Sequence, residues 1–435
     1  MKVLWICNIM PPMVAQALGL EYSVKEGWIT GILEEMVRRE EVLELAIAYP
    51  VLTQEKKEGI PVSLQVSGIP QEKRITCYEF VENINQPEIY GGKQLEQRMK
   101  EIIEDFRPGL LHIYGTEYGH ALAAVRSFPE KSKILVGLQG IVTECAAHYM
   151  AELPEKVQRK KSFRDILKQD GMKQQQEKFF LRGELENQLF AEPVCVTGRT
   201  EFDKSSVHKV NSKLTYFSMN ETMRKEFYSG RWNLESCVPH RIFFSQADYP
   251  LKGFHHLLEA AGLLVKKYPD ITIHVAGNNI TAYGTLKEKI KISAYGKYLR
   301  SLIRRGNLQE KVFFLGKLSA GQIKEEYLKS HCYVCASSIE NSPNSMAEAM
   351  LLGTPVVASR TGGIPSMLEE EKEGLLFESG NASALAECID RIWQDDKLTV
   401  SLSEEARKRA DKAHKPETNY HRLLEIYTRM NGKEV

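Results

Sequence analysis

Short apolar runs alternate with segments of helical spacing along nearly the whole chain of 435 residues, and this alternation limits the possible fold more than any other feature. Many runs are apolar at almost every position, as in KVLWICN (2–8) and ILVGLQG (134–140). Such runs are typical of parallel strands that helices cover on both faces. The alternation therefore predicts an α/β protein built on parallel sheets.

Ten of these runs are predicted to be strands, five in each half of the chain. The predicted strands are 2–8, 110–115, 134–140, 193–198, 213–219, 241–246, 271–277, 312–316, 332–337 and 355–359. A polar stretch with Gly and Pro between 220 and 240 predicts a domain boundary. We therefore expect two Rossmann-like domains, with the active site in the cleft that the carboxyl ends of their strands would line.

The segment 155–190 interrupts the alternation and is strongly basic. From Lys156 to Arg182, nine Lys or Arg stand against three acidic residues, an excess of +6 in a chain with a formal net charge of +1. Phe163, Ile166 and Leu167 separate the charges, which is typical of an amphipathic helix at an anionic membrane surface. An ordinary solvated helix face is the alternative. The nearly neutral total charge argues against a nucleic-acid partner.

The apolar runs and the cysteines indicate a cytoplasmic protein. No apolar run reaches the roughly 18 residues of a membrane-spanning helix. The eight cysteines are scattered, as expected in a reducing compartment. Cys332 and Cys335 form one C-x-x-C pair, but period-2 geometry places them on opposite faces of a predicted strand, so no metal is expected there.

The stretch SIENSPNSMAEAM (338–350) carries two glutamates eight positions apart. Glu340 follows a predicted strand, and Glu348 lies inside a predicted helix with Ser342 as N-cap and Pro343 at the first helical position. The backbone N–H groups of Asn344, Ser345 and Met346 are then expected at the helix start, where they favour a phosphate. Two carboxylates that accept hydrogen bonds from hydroxyl groups complete a site suited to a nucleotide diphosphate sugar. Two exposed glutamates beside an ordinary helix are the alternative.

The region around this stretch resembles the E-x7-E segment of the retaining glycosyltransferases called family 4, which have the GT-B fold. The resembling segments are ENSPNSMAEAMLLGTPVVASRTGGIP (340–365), FLGKLSAGQIKEEY (314–327) and SQADYPLKGFHHLLEA (245–260). The resemblance is strong over about residues 240–380 and loose over the first half. It implies a donor domain at 221–415 and an acceptor domain at 1–220 that includes the basic segment. The helix in 416–435 would pack back on the first domain or stand as a plain terminal helix.

The resemblance also implies a role for each motif residue. Glu348 would bind the ribose hydroxyls, and Glu340 would contact the donor sugar and act in catalysis. Lys252 would offset the charge that develops on the departing phosphate, so no metal cofactor is required. No convincing Asp-x-Asp follows a strand, which weakens a metal-dependent mechanism. Retention of configuration comes from the resemblance alone, with a same-face displacement as the default mechanism.

The chain departs from the family pattern at several positions. Gln246 stands where many relatives have Arg, and it offers the diphosphate only amide hydrogen bonds. Gln139 stands where some relatives have His, so His120 is the remaining candidate for a catalytic His; a capping or core His is its alternative. The first loop, VKEGWITG, lacks the adjacent glycines that are usual in the family, and Gly27, followed by Trp28, would let the backbone approach the diphosphate. Arg199 would bind the acceptor or stabilise a turn between the domains.

Gly316 and Leu318 complete the predicted donor site, where their backbone would meet the base, most commonly uridine in the family. The sequence therefore predicts a metal-independent, retaining glycosyltransferase that moves a hexose-type sugar from a nucleotide diphosphate, UDP above all, to a sugar acceptor. A lipid-linked acceptor at the inner face of a membrane, in polysaccharide or glycoconjugate synthesis, follows from the basic segment. A GT-B nucleotide-sugar epimerase and a non-catalytic nucleotide-sugar-binding subunit are the alternatives.

Overall fold

The structure of this protein is a computed structural model, and it describes residues 1–21, 27–39, 43–53, 56–66 and 72–432. The chain forms two compact units. The first unit comprises Met1–Thr143, Phe179–Arg224 and His414–Val435. The second unit comprises Glu144–Lys178 and Lys225–Ala413.

Fourteen strands lie in the described residues, eight in the first unit and six in the second. Those of the first unit are β1 (Lys2–Ile6), β2 (Glu44–Val51), β3 (Ile60–Gln65), β4 (Glu72–Val81), β5 (Leu110–Tyr114), β6 (Ile134–Gly137), β7 (Cys195–Gly198) and β8 (Thr215–Ser218). Those of the second unit are β9 (Val238–Phe244), β10 (Thr272–Val275), β11 (Val312–Phe314), β12 (Ser330–Cys335), β13 (Val356–Ser359) and β14 (Leu375–Phe377).

Eighteen helices lie in the described residues. They are α1 (Pro12–Ala17), α2 (Gly27–Arg38), α3 (Gly92–Phe106), α4 (Gly119–Ser127), α5 (Val142–Ala147), α6 (Glu155–Gln158), α7 (Phe163–Lys168), α8 (Met172–Phe190), α9 (Glu201–Val210), α10 (Phe254–Leu264), α11 (Leu286–Lys291), α12 (Ala294–Arg305), α13 (Ala320–Lys329), α14 (Asn344–Leu352), α15 (Ile364–Met367), α16 (Ala382–Gln394), α17 (Asp396–Ala413) and α18 (Pro416–Met430). Short 3-10 turns lie at Lys131–Lys133, Lys225–Tyr228 and Pro250–Lys252.

The sheet of the first unit has the strand order β3-β4-β2-β1-β5-β6-β7-β8, and only the β3–β4 pair is antiparallel. Strand β1 lies inside the sheet and is buried from its second residue onward. Leu4 and Ile6 enter the core on one face, whereas Val3 and Trp5 enter the core on the other. This burial on both faces explains why β1 has no polar alternation in its sequence.

The sheet of the second unit is entirely parallel, with the order β11-β10-β9-β12-β13-β14. Strands β12 and β13 are buried along their whole length. All ten predicted strands overlap an observed strand, and β2, β3, β4 and β14 are additional. The α/β class predicted from the alternation is therefore confirmed.

The C-terminal helix α18 packs within the first unit, which is one of the two alternatives left by the sequence. Tyr420, Leu423, Ile426 and Tyr427 are buried in the core that contains Trp5. The Trp5 indole donates a hydrogen bond to the Tyr427 hydroxyl at 2.9 Å. This contact joins the first strand of the chain to its last helix.

The basic segment does not form one long helix, because it is divided among α6, α7 and α8. Up to Lys178 it belongs to the second unit, whereas the predicted domain 1–220 includes it in the first. Several hydrogen bonds join this part of the chain to the second unit; among them, the Ala294 N–H donates to Asp165 at 2.8 Å, and His255 Nε2 contacts the Ala151 carbonyl at 2.8 Å. In the described part of the chain, no helix is both long enough and apolar enough to cross a bilayer.

Candidate active site

A pocket in the second unit lies at the carboxyl ends of β9 and β12, where parallel sheets of this type bind ligands. Four residues predicted from the sequence line it together: Gln246, Lys252, Glu340 and Ser345. The other lining residues are Phe244, Ser245, Tyr333, Val334, Cys335, Ala336 and Ser337. The geometry thus brings the two predicted catalytic residues of this unit to one place.

Lys252 and Glu340 form an ion pair at 2.5 Å in this pocket, with side chains that are 24% and 12% exposed. The Ser337 hydroxyl donates a second hydrogen bond to Glu340 at 2.8 Å. Burial lowers the pKa of Lys252, but the Glu340 carboxylate and the neighbouring Tyr249 outweigh burial and hold that pKa well above its usual value. Lys252 therefore carries a fixed positive charge that is balanced by Glu340.

Two glycines let the loops around this ion pair approach each other. Gly253, directly after Lys252, has φ +68°, and a Cβ there would lie 1.8 Å from the Ala336 carbonyl oxygen. Gly362 has φ +51°, and its Cβ would lie 1.9 Å from the Glu340 carbonyl oxygen. The same oxygen accepts a hydrogen bond from Gly363 N–H at 2.9 Å. Backbone contact at these glycines, which a side chain would prevent, therefore positions both ends of the ion pair.

Helix α14 begins one residue later than predicted. Pro343, not Ser342, is its N-cap residue, and no side chain caps it, so the predicted Ser342 cap is wrong. The Met346 N–H donates to the Pro343 carbonyl at 3.0 Å, which corrects the expectation that it is open to a ligand. Asn344 and Ser345 remain as the first two residues of the helix. Glu348, one turn further, is only 6% exposed.

Tyr333 is a residue of this site that the sequence analysis missed. Its hydroxyl donates to the Ser345 Oγ at 2.7 Å and lies 3.2 Å from the Ser245 Oγ. It thereby joins the end of β9 to the start of α14. The burial of β12 marked Tyr333 as a core residue, and nothing in its sequence context distinguishes a core tyrosine from one whose hydroxyl reaches a pocket.

Three other predicted donor residues are placed as follows. Gln246 donates an amide hydrogen bond to Asp248 at 3.3 Å. The N–H and carbonyl groups of Gly316 both pair with Gly277, at 3.1 and 2.8 Å, so the Gly316 backbone is already occupied, while Leu318 is half-buried two residues later. Gly27 is the first residue of α2, and residues 24–26 of its predicted loop lie outside the described residues. Their roles in donor binding stay predictions.

His120, the predicted catalytic His of the first unit, is fully buried. Its Nδ1 lies 2.5 Å from the Glu82 carboxylate, and its Nε2 lies 3.0 Å from the Asn8 side-chain oxygen. The Glu82 carboxylate also accepts from the backbone N–H of His120 at 3.0 Å. Both ring nitrogens are thus engaged inside the first unit, an arrangement that favours the core-His alternative.

Gln139 and Arg199, the two predicted acceptor residues, line a second pocket that lies within the first unit, at the carboxyl ends of β5 to β8. Both contact Glu221: the Gln139 amide donates at 2.7 Å, and the Arg199 guanidinium forms an ion pair at 3.5 Å. The pocket therefore has a polar wall with one positive and one negative group.

Two further residues of this second pocket could not be found by motif. His112 and Thr197 are buried, and the His112 Nε2 and Thr197 Oγ1 atoms have no hydrogen-bond partner among the described residues. Burial lowers the pKa of His112 to about 3, so its ring is neutral. Buried polar atoms are rarely left unpaired, which indicates that a water or a ligand group meets them in the pocket.

Comparison with known proteins relates the second unit to glycosyltransferases. Residues 238–409 match the family model described as "Glycosyl transferases group 1". This range contains Lys252, Glu340 and Glu348. The putative glycosyltransferase YtcC of Bacillus subtilis is 26% identical over 46% of this chain. The chain spans about half of the length of that relative, 48%.

Solved structures show the fold of the whole chain. Sucrose-phosphate synthase from Thermosynechococcus elongatus superposes with a TM-score of 0.65 at 15% identity, over 99% of each chain. Anabaena HepE in complex with UDP-glucose superposes with a TM-score of 0.63 at 15% identity, over 99% of this chain and 100% of its own. Together with the two parallel-dominated sheets, these likenesses confirm the predicted GT-B fold of two Rossmann-like units.

Proposed function

We propose that this chain is a glycosyltransferase that moves a sugar from a nucleotide diphosphate donor to a sugar acceptor. The observation that carries the proposal is the Lys252–Glu340 ion pair in the pocket at the carboxyl ends of β9 and β12. That pocket also contains Ser345, at the N-terminal end of α14, and it lies inside the range that matches glycosyl transferases group 1. A fixed cation beside a helix N-terminus is suited to a diphosphate.

Lys252 and Glu340 have complementary roles in the proposed reaction. The Lys252 ammonium and the first N–H groups of α14 offset the negative charge that grows on the departing phosphate. Lys252 and Glu340 already form an ion pair. In the proposed complex, Lys252 contacts the diphosphate of the donor, and Glu340 contacts a hydroxyl group of its sugar. Glu348, buried within α14, accepts hydrogen bonds from the ribose hydroxyls.

The finer part of the proposal is that transfer retains configuration, requires no metal and uses a UDP-linked hexose. In a same-face displacement, the anomeric carbon loses its bond to the phosphate oxygen and gains one to the acceptor oxygen, while the acceptor proton passes to the leaving phosphate. Lys252 supplies the charge for which other enzymes use a metal ion. The HepE structure with UDP-glucose supports this choice of donor through its shared fold.

We propose further that the pocket of the first unit holds the acceptor. His112 Nε2 and Thr197 Oγ1 are buried polar atoms without a described partner, and a hydroxylated ligand satisfies such atoms. Arg199 and Gln139, held by Glu221, would orient it. A lipid-linked sugar in polysaccharide or glycoconjugate synthesis, at the inner face of a membrane, is the acceptor class supported by the basic segment.

The first experiment measures thermal stabilisation by UDP, GDP and ADP, each without metal and with a chelator present. A nucleotide at ~100 times its dissociation constant should stabilise the protein by about 2.7 kcal/mol. We expect the shift with UDP, its loss in Glu348→Ala, and no change in Glu310→Ala, a control at an exposed loop position. A shift with none of the three nucleotides in the wild-type protein would contradict the donor site.

Two rival functions are separated by turnover. A nucleotide-sugar epimerase would convert the donor to a new sugar nucleotide without any acceptor, whereas a glycosyltransferase would not. A non-catalytic binder would bind nucleotide and turn over no donor. This alternative is considered because Gln246 stands where many relatives have Arg. For the proposed enzyme, Glu340→Ala should lower turnover far more than it weakens nucleotide binding.

A further inference from the structure

Two short helices of the second unit, α7 (Phe163–Lys168) and α11 (Leu286–Lys291), pack beside each other and expose large apolar side chains. The exposed set is Phe163, Ile166, Leu167, Leu286 and Ile290, with exposed fractions between 47% and 75%. We call these two helices the α7/α11 surface. Large apolar residues clustered on one surface mark an interaction site, whereas scattered ones do not.

Helix α7 buries a charged residue and exposes its apolar residues, which is the reverse of an ordinary surface helix. Its buried residue is Asp165, whereas Phe163, Ile166 and Leu167 share one exposed face through their i, i+3 and i+4 spacing. The Asp165 carboxylate accepts hydrogen bonds from Ser162 N–H at 2.9 Å and from Ala294 N–H at 2.8 Å. A buried, fully used carboxylate therefore anchors the helix with its apolar face outward.

Helix α11 adds a second apolar face of the same kind. Leu286 and Ile290 are separated by one helical turn and lie on one side. A capping box between Thr285 and Glu288 determines where the helix begins, and the Glu288 carboxylate accepts from Gly284 N–H at 2.7 Å. Each helix is thus held by its own polar contacts, independently of its exposed apolar face.

The exposed charge around these apolar side chains is predominantly positive. Six exposed lysines accompany the two helices: Lys160, Lys161, Lys168, Lys287, Lys289 and Lys291. The ranges 159–169 and 285–292 contain two acidic residues: Asp165 is buried, and Glu288 is half-exposed within its capping box. A second copy of this chain would bring lysines against lysines, which disfavours self-association.

We infer that the α7/α11 surface docks on an anionic lipid bilayer. Apolar side chains would enter the boundary between headgroups and acyl chains, and the lysines would meet the lipid phosphates. Participation of α11 lies outside the basic segment 156–182 and was not expected from the sequence. The inference deepens the proposed function, on which its biological meaning rests, because a bilayer is where a lipid-linked acceptor is presented.

The test is flotation of the full chain with vesicles of phosphatidylcholine alone or mixed with phosphatidylglycerol. We expect binding to the mixed vesicles only, weakening as salt is added. Leu167→Asp combined with Leu286→Asp should lower binding by roughly tenfold or more, since it removes two apolar anchors and adds two negative charges. Leu263→Asp is the control, because Leu263 is an exposed leucine on a different helix, α10, and this variant should bind as the wild type does.

Several outcomes overturn the inference. They are wild-type protein that does not float with anionic vesicles, a double variant that floats as well as the wild type, and a concentration-dependent dimer that the double variant abolishes in light scattering. UDP-induced thermal stabilisation, measured on the same samples, separates the two proposals. Retained stabilisation without vesicle binding rejects the surface alone, whereas vesicle binding without stabilisation supports the surface and rejects the donor site.

Discussion

Lys252 and Glu340 hold each other in a pocket where neither is fully exposed, and this pairing makes their separate contributions measurable. Removing one partner leaves the other charge partly desolvated, which lowers stability whatever the function. Removing both leaves no unpaired charge. A double-mutant cycle therefore distinguishes a structural ion pair from one that also acts on a substrate.

We expect Lys252→Met to lower the free energy of unfolding by about 1–3 kcal/mol, because Glu340 loses its charged partner. Turnover should fall by about 100-fold to 1,000-fold, since the leaving phosphate loses its cation. Lys252→Met combined with Glu340→Gln should regain most of the stability and none of the turnover. Chemical denaturation and donor turnover measure the two effects, and near wild-type turnover in Lys252→Met would contradict the proposed role.

Four residues that line the candidate donor pocket were predictable from the sequence, because a motif on a strand–turn–helix unit carries its own geometry. Lys252, Glu340, Ser345 and Gln246 follow strands that end at one edge of a sheet, and they line one pocket. His112 and Thr197 were not predictable in this way. An atom that is buried and unpaired is a property of packing between distant segments, which no local pattern encodes.

At the scale of elements, Tyr427 joins α18 to the first sheet through its hydroxyl. It accepts a hydrogen bond from Trp5 and lies 2.6 Å from His112 Nδ1. Tyr420, on the same helix, is equally buried, but its hydroxyl has no hydrogen-bond partner among the described residues. The two tyrosines form a natural matched pair.

Tyr427→Phe should lower the free energy of unfolding of the first unit by about 1–3 kcal/mol, because it leaves the Trp5 indole N–H buried and unpaired. Tyr420→Phe should leave stability nearly unchanged or raise it slightly, since it removes a polar atom that has no described partner. Urea unfolding followed by the fluorescence of the tryptophans measures both. Equal losses in the two variants would show that the hydroxyl network contributes nothing.

The four strands that were not predicted, β2, β3, β4 and β14, differ in how clearly their sequences indicate a strand. In β3 buried and exposed positions alternate, and β4 also keeps several exposed positions, so neither forms a continuous apolar run. β14 has only three residues. β2 carries a strong apolar run, ELAIAYPV, so its sequence does indicate a strand. Patterns that select doubly covered strands detect the interior of a sheet better than its edge.

At the scale of the whole molecule, buried and half-buried histidines with a lowered pKa link stability to pH. Burial lowers the pKa of His112 to about 3 and those of His274, His331 and His414 to about 4, and it holds that of His255 well below its usual value. In the unfolded chain each titrates near 6.5. Between those values the unfolded state binds more protons than the folded state, so folding loses stability as the pH falls.

We expect full histidine-linked stability above about pH 6.5 and a progressive loss as the pH falls toward 4. Each buried histidine contributes a slope of up to about 1.4 kcal/mol per pH unit within that window. Thermal unfolding recorded from pH 7.5 to pH 4.5 measures the slope, and His112→Gln should reduce it. A midpoint that is constant or rises with acidification would contradict this prediction.

The hydrogen bond between Trp5 and Tyr427 can form only late in synthesis of the chain, because its partners are 422 positions apart. At a synthesis rate of about 5–20 residues per second, Trp5 leaves the ribosome roughly 20–80 s before its partner does. By that time the chain of the second unit, up to Ala413, has already been made. Until α18 has been synthesised, the part of the first-unit core that contains Trp5 lacks the side chains of that helix. Slow translation or early termination would therefore prolong its exposure to aggregation and to chaperones.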